Sequence, residues 1–170
     1  MICYNTNYQR GDTMHIQLNN FAIINYNPED IKHIEFAKDM KEANEKDHFL
    51  YSCIDKIIAQ SATTENLHIG YGYMVTDEDK IVGYIRPARK VNINTLELDI
   101  GVNPKYRHQG YGSRILVEVS DFFLKFSDIK CLKLSIDISN EYSLKCAKKA
   151  GYVEVEDHYP RQFATYLKRK

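Results

Sequence analysis

A short basic segment of the chain carries the residue types that bind a diphosphate. Arg107, Gly110 and Gly112 form an Arg-x-x-Gly-x-Gly sequence. Glycine lets the backbone approach a ligand closely, and the free N–H groups that open a helix attract anions. No acidic residue lies between Ile100 and Val117, although the whole chain has 23 basic and 23 acidic residues. We therefore predict that backbone N–H groups of this segment hold a diphosphate.

The elements on either side of this segment would position its N–H groups. Apolar and acidic residues alternate over 95–102, which predicts a strand with Glu97 and Asp99 on one face. The helical spacing of apolar residues over 111–126 predicts a helix, whose dipole adds positive potential at its start. A strand, a glycine-containing turn and a helix in this order suit anion binding. The phosphate loop of ATPases, Gly-x-x-x-x-Gly-Lys-Ser/Thr, is absent from the sequence.

The hydrophobic pattern of the whole chain predicts one domain of mixed secondary structure. Residues 1–12 are expected to form a polar, poorly ordered leader, and residues 13–170 a single domain. The predicted fold class is α/β (α+β), with a mixed, mostly antiparallel central sheet of about six to seven strands flanked by helices. The predicted helices are 28–42, 46–60, 111–126 and 140–150, and the predicted strands include a hairpin within 14–24 and the segments 71–76, 80–85, 95–102, 131–138, 152–156 and 162–167.

Composition and charge argue against several classes of function. Of the 170 residues, 44% are hydrophobic and 27% charged, which is typical of a globular protein. A net charge of zero gives no reason to expect a nucleic-acid partner, and no apolar run approaches the length of a membrane span. The spacing of the histidines predicts no metal site. The cysteines form no Cys-x-x-Cys pair and are expected to be reduced thiols of a cytoplasmic protein: Cys3, Cys53, Cys131 and Cys146.

Two segments resemble the GNAT superfamily of N-acetyltransferases. The sequence VNPKYRHQGYGSRIL, with Arg107 at the start of its glycine-rich part, is similar to the acetyl-CoA-binding motif of that family. The sequence NEYSLKCAKKAGY is similar to its downstream signature, in which Asn140 would open a helix and Gly151 would close it. The resemblance implies a GNAT-like fold and acetyl-CoA as co-substrate. It also implies direct acetyl transfer to a primary amine within a ternary complex, without a covalent acetyl-enzyme.

The resemblance further implies which residues bind the cofactor. The backbone of residues 100–102 would pair with the pantetheine arm, and Asn140 would contact a pantetheine amide, although Asn140 also suits a plain helix cap. Backbone N–H groups of the glycine turn would hold the diphosphate, and Arg114 or Lys105 would meet the 3′-phosphate. The expected set is Ile100, Gly101, Val102, Arg107, His108, Gln109, Gly110, Tyr111, Gly112, Ser113, Arg114, Asn140 and Ser143.

Acetyl transfer to an amine needs a base, because only the neutral amine attacks the thioester. Glu97 is the first candidate, since many members of the family carry a glutamate on this strand, and Asp99 is the second. If their face lines the acceptor pocket, the two acids would also attract a cationic amine. The alternative is that both are solvated positions on a half-exposed strand, and this alternative is stronger for Asp99 than for Glu97.

The acid that protonates the departing thiolate is less clear from the sequence. Many family members place a tyrosine where this chain has Ala147. Tyr142 and Cys146 lie one turn apart on the predicted helix and are the candidates in its place. The departure also leaves open a second function, that of a non-catalytic module that binds or senses an acyl-CoA. The acceptor, a small-molecule or protein amine, and the oligomeric state, with a homodimer as one option, stay open.

Overall fold

The computed structural model describes residues 14–45, 48–59, 67–156 and 162–170. The leader predicted over residues 1–12 lies outside the described residues. In the described part of the chain, eight strands form one sheet and four α-helices flank it. The strands are β1 (His15–Gln17), β2 (Ala22–Ile24), β3 (Tyr73–Asp77), β4 (Lys80–Asn92), β5 (Thr95–Val102), β6 (Cys131–Asp137), β7 (Val153–Val155) and β8 (Phe163–Arg169), and the helices are α1 (Ile31–Ala43), α2 (His48–Ala59), α3 (Tyr111–Phe126) and α4 (Glu141–Lys149).

The sheet has the order β1-β2-β3-β4-β5-β6-β8-β7. Every neighbouring pair is antiparallel except β5 and β6, which run parallel. The mixed, mostly antiparallel fold is therefore confirmed, but the sheet has eight strands rather than about six to seven. Both strands of the hairpin predicted within 14–24 join the sheet, and the hairpin closes so tightly that the Leu18 N–H donates to the Phe21 carbonyl at 2.8 Å. Two strands of three residues can pair across such a turn.

Among the element boundaries that differ from the prediction, two have a clear local cause. β4 was predicted to end at residue 85 but continues to Asn92, because a bulge between Pro87 and Arg89 accommodates the proline. α1 begins after Asp30, whose side chain accepts a hydrogen bond from the Lys32 N–H at 2.8 Å and caps the helix there. The longer β4 matters for function because it lies opposite the whole of β5.

The helices cover the two faces of the sheet with separate apolar layers. α3 and α4 pack on one face, over Leu98 of β5 and Leu134 of β6. α1 and α2 pack on the other face, over Met74 of β3 and Tyr84 of β4. Since side chains alternate along β5, the apolar Leu98 faces α3 and the acidic residues on either side of it face the α1 side. The two acids thus lie on the same face of the sheet as α1 and α2.

Candidate active site

The parallel strands β5 and β6 pair only where they begin. Their register joins Thr95–Glu97 to Cys131–Lys133 and goes no further, although β5 continues to Val102 and β6 to Asp137. Beyond Glu97, β5 pairs with β4 alone and β6 with β8 alone. A gap therefore opens between two adjacent strands in the middle of the sheet. Backbone N–H and C=O groups along such a gap can pair with an extended ligand as if it were an added strand.

The chain leaves β5 through a turn that begins α3. His108 and Gly110 have positive φ values of 64° and 82°, and Gly110 is the N-cap of α3. No side chain caps the first turn of this helix, so its N–H groups are not satisfied by a capping residue. Arg107 is exposed, and its two contacts within the protein, to the Val102 carbonyl and to Asn44 Oδ1, are both long at 3.4 Å. The turn thus offers polarised N–H groups and an available guanidinium.

Two other side chains of the turn are engaged within the protein. The Gln109 amide donates to the Lys105 carbonyl at 3.2 Å. The Ser113 hydroxyl donates to the Gly110 carbonyl at the same distance. This hydrogen bond of the Ser113 hydroxyl helps to hold the turn in its conformation. Binding at the turn would therefore depend chiefly on its backbone.

Gly112 of α3 packs against Cys146 of α4. A Cβ at this position would lie 3.1 Å from Cys146 Sγ and 3.4 Å from Val102 Cγ2, so a larger residue would press into both. The Ser113 N–H donates to the Cys146 sulfur, while burial raises the pKa of the Cys146 thiol. Cys146 of α4 is therefore a protonated thiol that lies against the start of α3. It is beside the turn that is predicted to hold the diphosphate.

The start of α4 also lies against this turn. The Tyr142 ring meets the His108 ring edge to face, with 4.8 Å between the ring centroids, and Tyr142 is 67% exposed. Asn140 Oδ1 accepts a hydrogen bond from the Ser143 N–H at 3.1 Å, so Asn140 caps α4. Ala147 is fully buried in the layer between α4 and the sheet. Both side chains considered as proton donors to the thiolate, Tyr142 and Cys146, thus contact the turn that begins α3.

The two candidate cations for a 3′-phosphate have different surroundings. Lys105 Nζ lies 2.7 Å from Asp39 Oδ2 and is thus already paired. The Arg114 guanidinium lies 5.0 Å from the centroid of the Phe21 ring and 5.2 Å from that of Tyr111. No carboxylate among the described residues forms a salt bridge with Arg114, and its side chain is exposed. Arg114 is therefore the better placed of the two to meet an anion.

Glu97 is buried and its two carboxylate oxygens are both occupied. It is 7% exposed, and Oε2 accepts a hydrogen bond from Arg89 Nε at 2.6 Å. Oε1 accepts one from the Ser135 hydroxyl of β6 at 2.7 Å. Burial alone would raise the pKa of Glu97, but the hydrogen bonds from Ser135 and Arg89 and the charges of Arg89 and Lys133 outweigh burial and lower it. Glu97 therefore joins three strands as a carboxylate and is poorly suited to accept a proton.

Asp99 has the opposite electrostatic character. Its Oδ2 accepts a hydrogen bond from Arg86 Nε at 2.7 Å, and the Arg86 Nη2 contacts the same oxygen. Burial raises the pKa of Asp99, and the charge and hydrogen bond of Arg86 only partly offset it. Asp99 is also the first residue on its face beyond the point where β5 and β6 separate. Of the two acids, Asp99 is thus the better proton acceptor and lies at the gap.

The sequence did not reveal the partners of these acids. Arg86 and Arg89 lie opposite Asp99 and Glu97 because the bulge at Pro87–Arg89 shifts the register of β4 by one residue. Spacing alone would not place both guanidinium groups on that face, since their sequence separation is odd. The feature of the sequence that came closest to revealing these partners was the pair of arginines on either side of a proline in a strand.

Gly101 lies next to this site and is required by packing. A Cβ at Gly101 would lie only 2.1 Å from Cε1 of Tyr84, whose ring is fully buried across the neighbouring strand. We expect Gly101→Ala to lower the free energy of unfolding by about 1–3 kcal/mol, because the ring must move in a packed layer. Urea unfolding of Gly101→Ala, Tyr84→Leu and the double variant measures this. If the losses of free energy in the two single variants simply add in the double variant, the Tyr84 ring is not the cause of the loss in Gly101→Ala.

The lowered pKa of Glu97 makes a prediction about acid stability. Since the folded pKa lies below that of the unfolded chain, Glu97 stabilises the fold above the ordinary glutamic acid range, and this contribution is lost as the pH falls through the folded pKa. Glu97→Gln should lower the free energy of unfolding by about 1–3 kcal/mol at neutral pH. The difference from wild type should shrink on acidification. Urea unfolding at a series of pH values tests this, and a difference that grows towards acid pH would contradict it.

Metal ligands, thiols and apolar helices are the remaining features of the described residues that bear on function. In this part of the chain, no group of three or more His, Cys, Asp or Glu side chains could hold a metal ion. Among the described residues, Cys53, Cys131 and Cys146 form no disulfide, and Cys3 lies outside the described residues. None of the described helices has the length and apolar character that crossing a bilayer demands.

A family comparison identifies the class of protein. The model of the Acetyltransferase (GNAT) family matches residues 31–152, which is more than half of the chain. The chain therefore belongs to the GNAT acetyltransferase family and is an acyltransferase. No curated protein matches the chain at a significant level.

Solved structures share the fold at low sequence identity. An N-acetyltransferase from Campylobacter jejuni, solved with acetyl coenzyme A, is 15% identical with a TM-score of 0.62 over 88% of this chain and 99% of that chain. A GNAT acetyltransferase from Bacillus anthracis is 18% identical, with a TM-score of 0.58 over 91% and 96%. A mutant spermidine N-acetyltransferase from Vibrio cholerae is 13% identical, with a TM-score of 0.51 over 58% and 63%. These identities support the shared fold alone.

Proposed function

We propose that this protein transfers the acetyl group of acetyl-CoA to a primary amine by direct transfer in a ternary complex. The observation that carries the proposal is the gap between β5 and β6, which ends at the uncapped start of α3. The pantetheine arm pairs with the backbone of residues 100–102 along the gap. The diphosphate binds the N–H groups of residues 110–113 with Arg107 beside it, and Arg114 meets the 3′-phosphate. The Campylobacter jejuni relative was solved with this cofactor, which agrees with the assignment.

In the proposed reaction Asp99 is the base. The acceptor arrives as an ammonium ion and gives one proton to Asp99, whose raised pKa brings it closer to that of the amine. The neutral nitrogen then forms a bond to the thioester carbon, and the carbon–sulfur bond breaks as CoA leaves as a thiolate. Backbone N–H groups of β5 at the gap stabilise the negative charge that develops on the carbonyl oxygen. The second amine proton passes through solvent to the thiolate.

Neither Tyr142 nor Cys146 is assigned as the acid in this proposal. Both contact the turn at the diphosphate end, through His108 and Ser113, whereas the thioester would lie near Asp99. Glu97 is assigned a positioning role, since it holds β4, β5 and β6 together where the strands separate. Tyr142 would instead cover the diphosphate turn.

A non-catalytic acyl-CoA-binding module is the second candidate, and Ala147 favours it. This residue stands where many family members carry a proton-donating tyrosine, and it is fully buried. Such a module would bind acetyl-CoA through the same gap and turn without releasing CoA. The difference between the two candidates is therefore a difference in turnover and not in binding.

One pair of measurements tests both candidates. Calorimetric titration with acetyl-CoA is expected to show micromolar binding, and a thiol-release assay with a panel of amines is expected to show acetyl-CoA-dependent release of CoA. Binding without thiol release from any amine would support the module. No binding would overturn the proposed function altogether.

A further inference from the structure

We infer that the acceptor amine also carries an anionic group, a carboxylate or a phosphate, which Arg89 and Lys133 bind beside Asp99. The inference rests on the proposed function and narrows its acceptor to one chemical class. It concerns the sheet face on which Asp99 and Glu97 lie, on the α1 side of β4, β5 and β6. The sequence by itself suggested a preference for a cationic amine, because it showed the two acids but not the cations that pair with them.

Cations outnumber acids on this face. Apart from the charge of Glu97, which acts on Asp99, the charges of the described residues that act on these two carboxylates come from four cationic side chains: Arg86, Arg89, Lys56 and Lys133. Each acid is paired with an arginine across the β4–β5 ladder. When the amine gives a proton to Asp99, the negative charge of that carboxylate is lost. The residues around the amine then carry an excess of positive charge. A second cationic group on the acceptor would be repelled, and an anionic group would be attracted.

Arg89 and Lys133 are the cations that a ligand could reach. The Arg89 side chain is 70% exposed and uses its Nε for Glu97, which leaves the terminal nitrogens of the guanidinium towards solvent. Lys133 is half-buried, and no carboxylate of the described residues forms a salt bridge with it. The two residues flank Glu97 from opposite sides, since Arg89 pairs with Glu97 in β4 and Lys133 pairs with it in β6. A guanidinium and an ammonium in this arrangement are suited to a carboxylate or phosphate.

The spacing along β5 sets the length of the acceptor. Glu97 and Asp99 are two residues apart, and a strand rises about 3.3 Å per residue, so an amine at Asp99 would lie about 7 Å from a group bound beside Glu97. An unbranched amine of about five carbon atoms with an anion at its other end covers this distance. 5-Aminovalerate fits this description with a carboxylate, and 4-aminobutyl phosphate fits it with a phosphate. Cadaverine has the same carbon chain as 5-aminovalerate and a cation at the far end.

These three amines test the inference with the full-length protein. The value of kcat/KM, measured by thiol release at saturating acetyl-CoA, is expected to be at least about tenfold higher for the better of the two anionic amines than for cadaverine. The two anionic amines show whether the site takes a carboxylate or a phosphate. Lys133→Gln and Lys133→Glu should raise KM for the preferred anionic amine, by about tenfold for the charge reversal. Lys133→Glu should also raise kcat/KM for cadaverine, which general damage to the fold would not do.

Lys125→Glu is the matched control because it makes the same charge change on the exposed side of α3. Lys125→Glu should leave the kcat/KM values for all three amines unchanged. Preference of the wild type for cadaverine, or Lys133 variants indistinguishable from the control, would overturn the inference and leave the acetyltransferase proposal standing. Acetyl-CoA binding with no acetylation of any of the three amines would also overturn it. Absence of acetyl-CoA binding would instead mean that the proposed function itself has failed.

Discussion

Asp99→Asn should lower kcat by about 100-fold or more while the Kd for acetyl-CoA stays the same. General base catalysis contributes about 10²–10⁴-fold to a rate, and asparagine cannot take the proton of the amine. The substitution keeps the size of the side chain and an oxygen that can accept from Arg86 Nε. Steady-state kinetics over a range of pH, with calorimetric titration of acetyl-CoA, measures both quantities.

The pH profile separates the role of a base from that of a structural residue. Asp99 acts only when it is ionised, so the wild-type rate should fall as the pH drops through its raised pKa. The residual rate of Asp99→Asn should lack this fall. Glu97→Gln is the matched control, because it makes the same chemical change two residues earlier on the same face. A loss of kcat in Glu97→Gln as large as that in Asp99→Asn would reject Asp99 as the base.

Arg107→Glu should raise the Kd for acetyl-CoA by about 100-fold. The substitution removes a cation beside the uncapped start of α3 and places a negative charge against the diphosphate. Loss of a hydrogen bond to a charged group changes binding by about 1.5–3 kcal/mol, and repulsion adds to this loss. The fold should be little affected, because Arg107 is exposed and its two internal contacts are long. Calorimetric titration with acetyl-CoA measures the effect.

Lys125→Glu again supplies the control for this prediction. It changes the net charge by the same amount at the far end of α3, so a loss of binding caused by net charge would appear in both variants. Melting temperatures show whether each variant is folded. The assignment of Arg107 would be withdrawn if the two variants bound acetyl-CoA equally well. Higher salt should weaken wild-type binding more than that of Arg107→Glu, because salt screens attraction between exposed charges.

The strand β5, the glycine turn that follows it and the helix α3 could be predicted from the local sequence pattern. β5 was expected over 95–102 and α3 over 111–126, and the structure has the same bounds. Alternation along β5 was enough to put Glu97 and Asp99 on one face. The family resemblance lay in two short segments, and the match to residues 31–152 confirms it. These features depend on neighbours in sequence, and for that reason a single chain can reveal them.

The sequence determined the order of the elements, the alternation along each strand and the glycine turn that begins α3. The tertiary structure decided what those residues meet. Arg86 and Arg89 reach the two acids because a bulge changes the register of β4, and the gap between β5 and β6 exists because β6 leaves β5 after Glu97. Register and strand separation are set by the packing of distant segments, which no local periodicity encodes. The sequence therefore showed that Glu97 and Asp99 are acidic, but it did not show whether each acid is paired with a cation.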